Sequence, residues 1–356
     1  MTTQTQTAVD PAELEAFTGQ VAGDVVAAFH AASVSLGDKL GLWEELARGP
    51  ATVAELAART DCDARYLEDW LSAQYVSGYC ERDDDGRFSL TPAQAAVLAD
   101  PGAATYLAGA TTLAGVLFRD DTLALEAFRS GRGVAWHEHH PDLFAGTERL
   151  FRPGYAANLV ASWIPALDGV GERLERGIAV ADVGCGYGAS TILMAQAYPR
   201  SSFVGYDYHE PSIEAARERA KAAGVADRVR FEVASAADYP GTGFGLVCVF
   251  DALHDLGDPV GAARHVRASL AEGGTFLLVE PMAGEDLDAN LNPVGRMFYS
   301  VAPFICTANA RAQHGPHELG NQVPDEVWQR LLAQAGFGRF RRAAETPFNR
   351  IFEARP

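Results

Sequence analysis

Residues 178–191 read IAVADVGCGYGAST. Up to Val183 this is an apolar, β-branched run, the pattern of a strand buried on both faces of a parallel sheet. Gly184, Gly186 and Gly188 then fall at every second position, so the backbone can bend sharply and a ligand can approach it without meeting a Cβ. Ala189, Ser190 and Thr191 open a segment, STILMAQAY, with helical apolar spacing, whose first N–H groups would point back toward the turn. A strand, a bare turn and a helix start in this order make a pocket of nucleotide type.

Other strand-turn-helix pockets have similar glycines, so the surrounding residues decide between them. The spacing is G-x-G-x-G, not G-x-G-x-x-G, and Asp182 stands two residues before the first glycine. A second apolar run, from Ser202 to Gly205, ends in Asp207, placed to accept both hydroxyls of a ribose. A third, Val229 to Val233, leads to Ser235 and Ala236, where adenine would be held. With D-x-G-x-G-x-G, Y-D-Y-H-E-P and V-A-S-A-A-D-Y-P in this order, the chain resembles the class I S-adenosylmethionine-dependent methyltransferases over residues 150 to 356. The resemblance implies S-adenosyl-L-methionine as cofactor. It implies further that Asp182 faces the methionyl ammonium and that Gly184, Gly186 and Gly188 lie along the methionyl and ribose portions. Asp207 would take the ribose, and Phe250 completes the set with Ser235 and Ala236. Tyr208 either lies against the adenine face or packs at its strand end. Arg152 either meets the donor's carboxylate or forms a surface ion pair.

The chain has 356 residues, 48% of them hydrophobic and 21% charged, which is enough for two globular domains. Its formal net charge of −18 sets up a field that repels nucleic acid and anionic membrane surfaces, so no nucleic-acid or membrane partner is expected. Cys62, Cys80, Cys185, Cys248 and Cys306 show no C-x-x-C spacing, so neither a disulfide framework nor a zinc cage is expected. A cytoplasmic location follows from that cysteine usage and from the lack of an export signal or membrane-length apolar run.

From the N-terminus, residues 1 to about 10 read as a disordered polar tail. Helical spacing runs from Ala12 to Arg48, with breaks expected at Gly37 and Gly41. Thr52 before VAELAART, Asp63 before ARYLEDWLSAQYVSG, and YCERDDDGRFSL turning at Asp85-Gly86 predict helix, helix and hairpin, a winged helix-turn-helix. Residues 1–100 hold six basic and seventeen acidic side chains, with Glu68 and Asp69 on the would-be recognition helix, against DNA binding. GLWEELARGPATVAELAART is similar to the acidic winged helix of small-molecule O-methyltransferases, which implies a homodimer through residues 1–100.

Residues 101–168 are expected to form a helical bridge lining the substrate pocket, punctuated at Gly131-Arg132-Gly133, Pro141 and Pro153-Gly154. Residues 169–356 are expected to be an α/β, Rossmann-like sheet of seven strands, the last one antiparallel, with an irregular lid insertion at about 282–322. FDALHDLGDP follows the fourth strand, and its H-D-L-G-D is similar to the H-D-W-x-D of O-methyltransferases. That match makes His254 the candidate general base, and a helix-capping or backbone-bonded histidine is the alternative. His137, Glu138, His139 and His140 lack metal-site spacing, so no metal is expected. His139, His140, Tyr155 and Tyr299 are the expected substrate-binding residues. The expected reaction is methyl transfer to a hydroxyl of a small aromatic metabolite. The alternatives are C- or N-methylation, or a non-catalytic ligand-binding regulator.

Overall fold

The computed structural model describes residues 9–356, and the chain divides into two compact units, one ending at Gly115 and one running from Val116 to Pro356. The polar tail expected at the N-terminus lies almost wholly outside the described residues.

The first unit contains α1 (Pro11–Lys39), α2 (Leu42–Ala47), α3 (Val53–Thr60), α4 (Ala64–Val76), a short hairpin of β1 (Glu81–Arg82) and β2 (Phe88–Ser89), and α5 (Pro92–Leu98). The helix starts have a local cause. Thr52 accepts the Glu55 N–H while the Glu55 carboxylate accepts the Thr52 N–H, a reciprocal cap, and Asp63 accepts the N–H groups of Arg65 and Tyr66. Of the two expected breaks only Gly41 is one, with its left-handed φ of 68°. Gly37 stays within α1, and a side chain is excluded there because a Cβ would lie 2.3 Å from the Trp70 ring. Trp43, Trp70, Leu46, Leu56 and Leu71 form the core.

α6 (Ala110–Arg119) leads into the second unit, which continues with α7 (Asp121–Ser130), α8 (Asp142–Asn158), a π-helical turn (Leu159–Trp163) and α9 (Val170–Arg176). Strands and helices then alternate: β3 (Ala179–Val183), α10 (Ala189–Ala197), β4 (Ser202–Asp207), α11 (Glu210–Ala222), β5 (Val229–Val233), β6 (Phe244–Phe250), α12 (Pro259–Ser269) and β7 (Leu270–Pro281). α13 (Pro293–Val301), α14 (Cys306–Ala312), α15 (Asp325–Gln334), β8 (Arg339–Glu345) and β9 (Asn349–Arg355) complete it. The sheet order is β5-β4-β3-β6-β7-β9-β8, and β9 runs antiparallel to both neighbours.

Alternation along the strands divides the apolar residues between two cores. Val180, Leu246, Cys248, Leu277 and Ile351 face one layer, and Ala181, Val247, Val249, Leu278 and Phe352 face the other, as a period of two requires in a doubly covered sheet. Tyr155, Leu159, Trp163, Ile164 and Leu167 belong to the first of these cores. Residues 116–168 fall within the second unit. Pro153-Gly154 also departs from expectation, since it lies inside α8. The missing proline N–H costs one helical bond, and burial of Leu143, Pro153 and Tyr155 along that helix outweighs it. The insertion after β7 is helical rather than irregular: the Asn292 side chain accepts the N–H groups of Val294 and Gly295 and starts α13.

Candidate active site

The strand order reverses between β3 and β6, which pair in parallel at the centre of the sheet. In an open α/β sheet the crevice outside the carboxyl ends of such strands is where ligands bind. The turn after β3 is held against β4: the N–H groups of Gly184 and Cys185 donate to the Tyr206 carbonyl at 2.8 and 3.0 Å. The Gly186 N–H donates to Asp207 Oδ2 at 2.9 Å, and the His209 N–H donates to Asp207 Oδ1 at 2.9 Å. Burial raises the Asp207 pKa, although both N–H bonds favour its charged form. Gly188 has a φ of 77°, and a Cβ on it would lie 2.5 Å from Phe231, so only glycine fits this position.

A cavity of about 560 Å³ opens over this turn, within the usual range of about 300–1,000 Å³ for small-molecule sites. Gly184, Gly186, Asp207, Tyr208, Ser235, Ala236 and Phe250 line one part of it, and Trp136, His137, Phe144, Phe151 and Tyr155 line another. Glu148, Asp207, Asp251, Asp255 and Asp258 also reach the wall, and no lysine or arginine is among the lining residues. A second depression, about 730 Å³ and lined by residues of α11 and β5, shares none of these side chains.

Past the end of β6 the wall becomes a dense polar network. Asp251 adopts a left-handed φ of 48°, unusual for a residue with a side chain. Its Oδ2 accepts the Tyr155 hydroxyl at 2.8 Å and its Oδ1 accepts the Asn349 amide at 2.7 Å. Burial and the nearby Glu280 carboxylate push its pKa up to about 8. Behind the wall, His254 Nδ1 meets Glu280 Oε2 at 2.6 Å, and Nε2 lies 3.1 Å from Asp255 Oδ1. Burial disfavours the imidazolium, but the Asp255 and Glu280 carboxylates outweigh that and hold the His254 pKa well above its ordinary value.

With this geometry in place, residues 174–333 match the family described as a methyltransferase domain. The chain carries a methyltransferase domain. Residues 28–100 of the chain match the Rv2258c-like winged HTH domain. The fold, a seven-stranded sheet with β9 antiparallel to its neighbours, is that of the class I methyltransferases. A curated relative, 27-O-demethylrifamycin SV methyltransferase of Amycolatopsis mediterranei (strain S699), is 37% identical over 123 residues, covering 33% of this chain and 45% of that protein. The chain thus matches less than half the length of its curated relatives. Human N-acetylserotonin methyltransferase, solved in complex with SAM, aligns with a TM-score of 0.71 at 18% identity, covering 98% of this chain and 99% of the other. Mitomycin 7-O-methyltransferase MmcR aligns with a TM-score of 0.67 at 18% identity, covering 98% and 100%.

The cavity gathers Gly184, Gly186, Asp207, Tyr208, Ser235, Ala236 and Phe250 on one part of its lining and Tyr155 on another, while Gly188 packs against Phe231 and does not line it. Other expected site residues lie elsewhere. Asp182 is not on the wall: it is 1% exposed, and its Oδ2 accepts the hydroxyls of Ser190 and Thr191 at 2.6 Å each, fixing the start of α10. Burial pushes its pKa up to about 6 despite those two bonds. Arg152 turns to Glu148 at 3.9 Å and does not line the cavity. His139 is buried against Asp120, with Nδ1 to Oδ2 at 2.7 Å, and His140 lies beside Arg119. Neither imidazole lines the cavity, whereas His137, from the same cluster, does. A short 3-10 turn at Trp136–Glu138 separates these rings, which a linear run of histidines does not show. Tyr299 on α13 is 40% exposed and also off the wall. The sequence reading missed Asp251, whose strained backbone leaves no local signal, and Asn309 and Gln313 of the insertion, which reach the wall through α14 and the residue following it.

Proposed function

We propose that this chain is an S-adenosylmethionine-dependent methyltransferase acting on a small, neutral or cationic, aromatic-compatible acceptor, most readily at a hydroxyl. Bound S-adenosylmethionine supplies an electrophilic methyl group on a sulfonium. The single observation that carries the reading is one cavity lined by a bare glycine turn, a carboxylate anchored to that turn, and a wall rich in carboxylates without a lysine or arginine. Such a wall favours a cationic donor and disfavours an anionic acceptor.

In this reading Asp207 holds the ribose hydroxyls, Ser235 and Ala236 border the adenine with Tyr208 and Phe250, and Tyr155 lies toward the reacting methyl. Trp136, His137 and Phe144 border the acceptor, which attacks in line with the breaking carbon–sulfur bond. His254, oriented through Nδ1 by Glu280, is the proposed base that takes the acceptor's proton at Nε2. Asp255 stands between Nε2 and the cavity and must give way for that transfer.

A specific observation also favours a second reading. His254 is off the wall and is held protonated by two carboxylates. A carbon or amine nucleophile that needs no strong base would suit that resting arrangement, so C- or N-methylation is the alternative.

We further propose that the first unit makes a homodimer. Leu14, Phe17, Val21, Val25 and Phe29 recur at three- and four-residue spacing on α1 and are between 46% and 75% exposed, an apolar stripe suited to a second copy. On α4, Arg65 is bound to Asp69 at 2.5 Å, which leaves an acidic helix poorly suited to phosphate contacts. Isothermal titration with S-adenosylmethionine tests the donor site, and an acceptor screen that reads S-adenosylhomocysteine tests the reaction. A chain that binds NADH tightly and S-adenosylmethionine not at all would end this reading.

A further inference from the structure

Behind the cavity wall lies a group of side chains that the proposed donor site does not use, and of these Asp255 reaches the wall. His254, Asp255 and Cys306 are all buried, and one ligand atom from each lies within 4.8 Å of the others. His254 Nε2 and Asp255 Oδ1 are 3.1 Å apart, and the Cys306 thiol lies beside both groups. Asp255 Oδ1 is buried with His254 Nε2 as its polar neighbour, and Glu280 Oε1 is buried with no hydrogen-bond partner. A buried, unpartnered carboxylate oxygen is costly and calls for a cation or a donor.

We propose that His254, Asp255 and Cys306 form a zinc-binding site. Zinc takes nitrogen and oxygen ligands at about 2.0–2.2 Å and sulfur at about 2.3 Å in tetrahedral array, which sets ligand atoms about 3.3–3.6 Å apart. The nitrogen–oxygen pair is already near that spacing, and the thiol lies within 4.8 Å of both. A thiolate and an imidazole together select zinc over magnesium or calcium, whose ligands are oxygens. The outer partners are also in place. Glu280 holds Nδ1 at 2.6 Å and so leaves Nε2 as the ligand, and the Asn321 amide donates to Cys306 Sγ at 3.3 Å. Binding releases the thiol proton and any proton on Nε2 to solvent. One thiolate and one carboxylate then balance the dication. Asp255 lines the cavity, so the fourth position opens toward it, and three protein ligands with an open fourth place is a site water can complete.

The consequence for the reaction rests on the proposed role of His254: an imidazole whose Nε2 is bound to zinc cannot accept a proton, so occupancy stops hydroxyl methylation. Metal binding itself does not depend on that role.

The test is a Co²⁺ titration of the chelator-treated full-length protein, followed by Zn²⁺ competition. One equivalent of Co²⁺ is expected to produce tetrahedral visible bands and a near-ultraviolet thiolate-to-cobalt absorption, both removed by Zn²⁺. Cys306→Ala is expected to lose the thiolate band and to weaken Zn²⁺ binding at least about tenfold, the scale seen even for outer-sphere changes, while binding S-adenosylmethionine as the parent does. No thiolate band in the parent, or an undiminished band in Cys306→Ala, overturns the site. Added Zn²⁺ that raises turnover overturns the inhibitory consequence. Absence of turnover with every acceptor in chelator counts against the proposed function and leaves the absorption result standing.

Discussion

Replacing Asp207 with alanine isolates the donor site, because this carboxylate joins the glycine turn to the cavity. Oδ2 is fixed by the Gly186 N–H and Oδ1 by the His209 N–H, both at 2.9 Å, so the remaining lone pairs point at fixed places along the wall. A ribose diol would give it two hydrogen bonds to a charged acceptor, each contributing about 1.5–3 kcal/mol. Water entering the open cavity in the variant recovers part of this, so the lower end of the sum, about 3 kcal/mol, is the expected loss. That corresponds to roughly a 150-fold rise in Kd. The assay is isothermal titration with S-adenosylmethionine and with S-adenosylhomocysteine, which share the ribose and should lose the same factor. Far-ultraviolet circular dichroism and the melting temperature verify that the variant is folded. A folded variant that binds both compounds within threefold of the parent would refute the assignment of Asp207 and with it the placement of the donor.

Four further outcomes follow from the same geometry. Glu280→Gln removes an anion that favours the His254 imidazolium, so the rising limb of the pH–rate profile for hydroxyl methylation should move to lower pH; an unmoved limb would remove His254 as the base. Asp251 binds its proton more tightly folded than unfolded, a pKa of about 8 against about 4 for a free carboxyl. Its contribution to stability is complete below about pH 4 and is lost as pH rises toward 8, so the melting temperature of the parent should fall relative to Asp251→Asn across that range, and parallel curves would contradict the shift. Gly188→Ala meets both a positive φ and the Phe231 ring, and should destabilise by more than about 2 kcal/mol in urea unfolding; a change under about 0.5 kcal/mol would mean that the turn relaxes freely. Phe17→Glu with Val25→Glu should convert a dimer to a monomer in light scattering, and a parent that is already monomeric would dispose of the α1 interface.

By itself the sequence determined the elements whose causes are local. The continuous apolar runs that make β3, β6 and β7 buried strands, the capping residues Thr52 and Asp63, and the glycine turn with Asp207 beyond it are short-range signals of backbone conformation and burial. They were sufficient for the individual strands and for the turn that Asp207 joins, and the family resemblance supplied the antiparallel last strand. The tertiary structure alone decided which side chains line the rest of the cavity. His139 and His140 resemble pocket residues in the linear chain, yet Asp120 and Arg119, about twenty residues away, hold them while His137 reaches the wall. His254 was the base candidate on its motif, but its clamp between Asp255 and Glu280, and the approach of Cys306 from α14, depend on β7 and a distant insertion meeting the end of β6. Local propensity is written in neighbouring residues, whereas the charge state and direction of a buried side chain are set by whatever the fold brings against it.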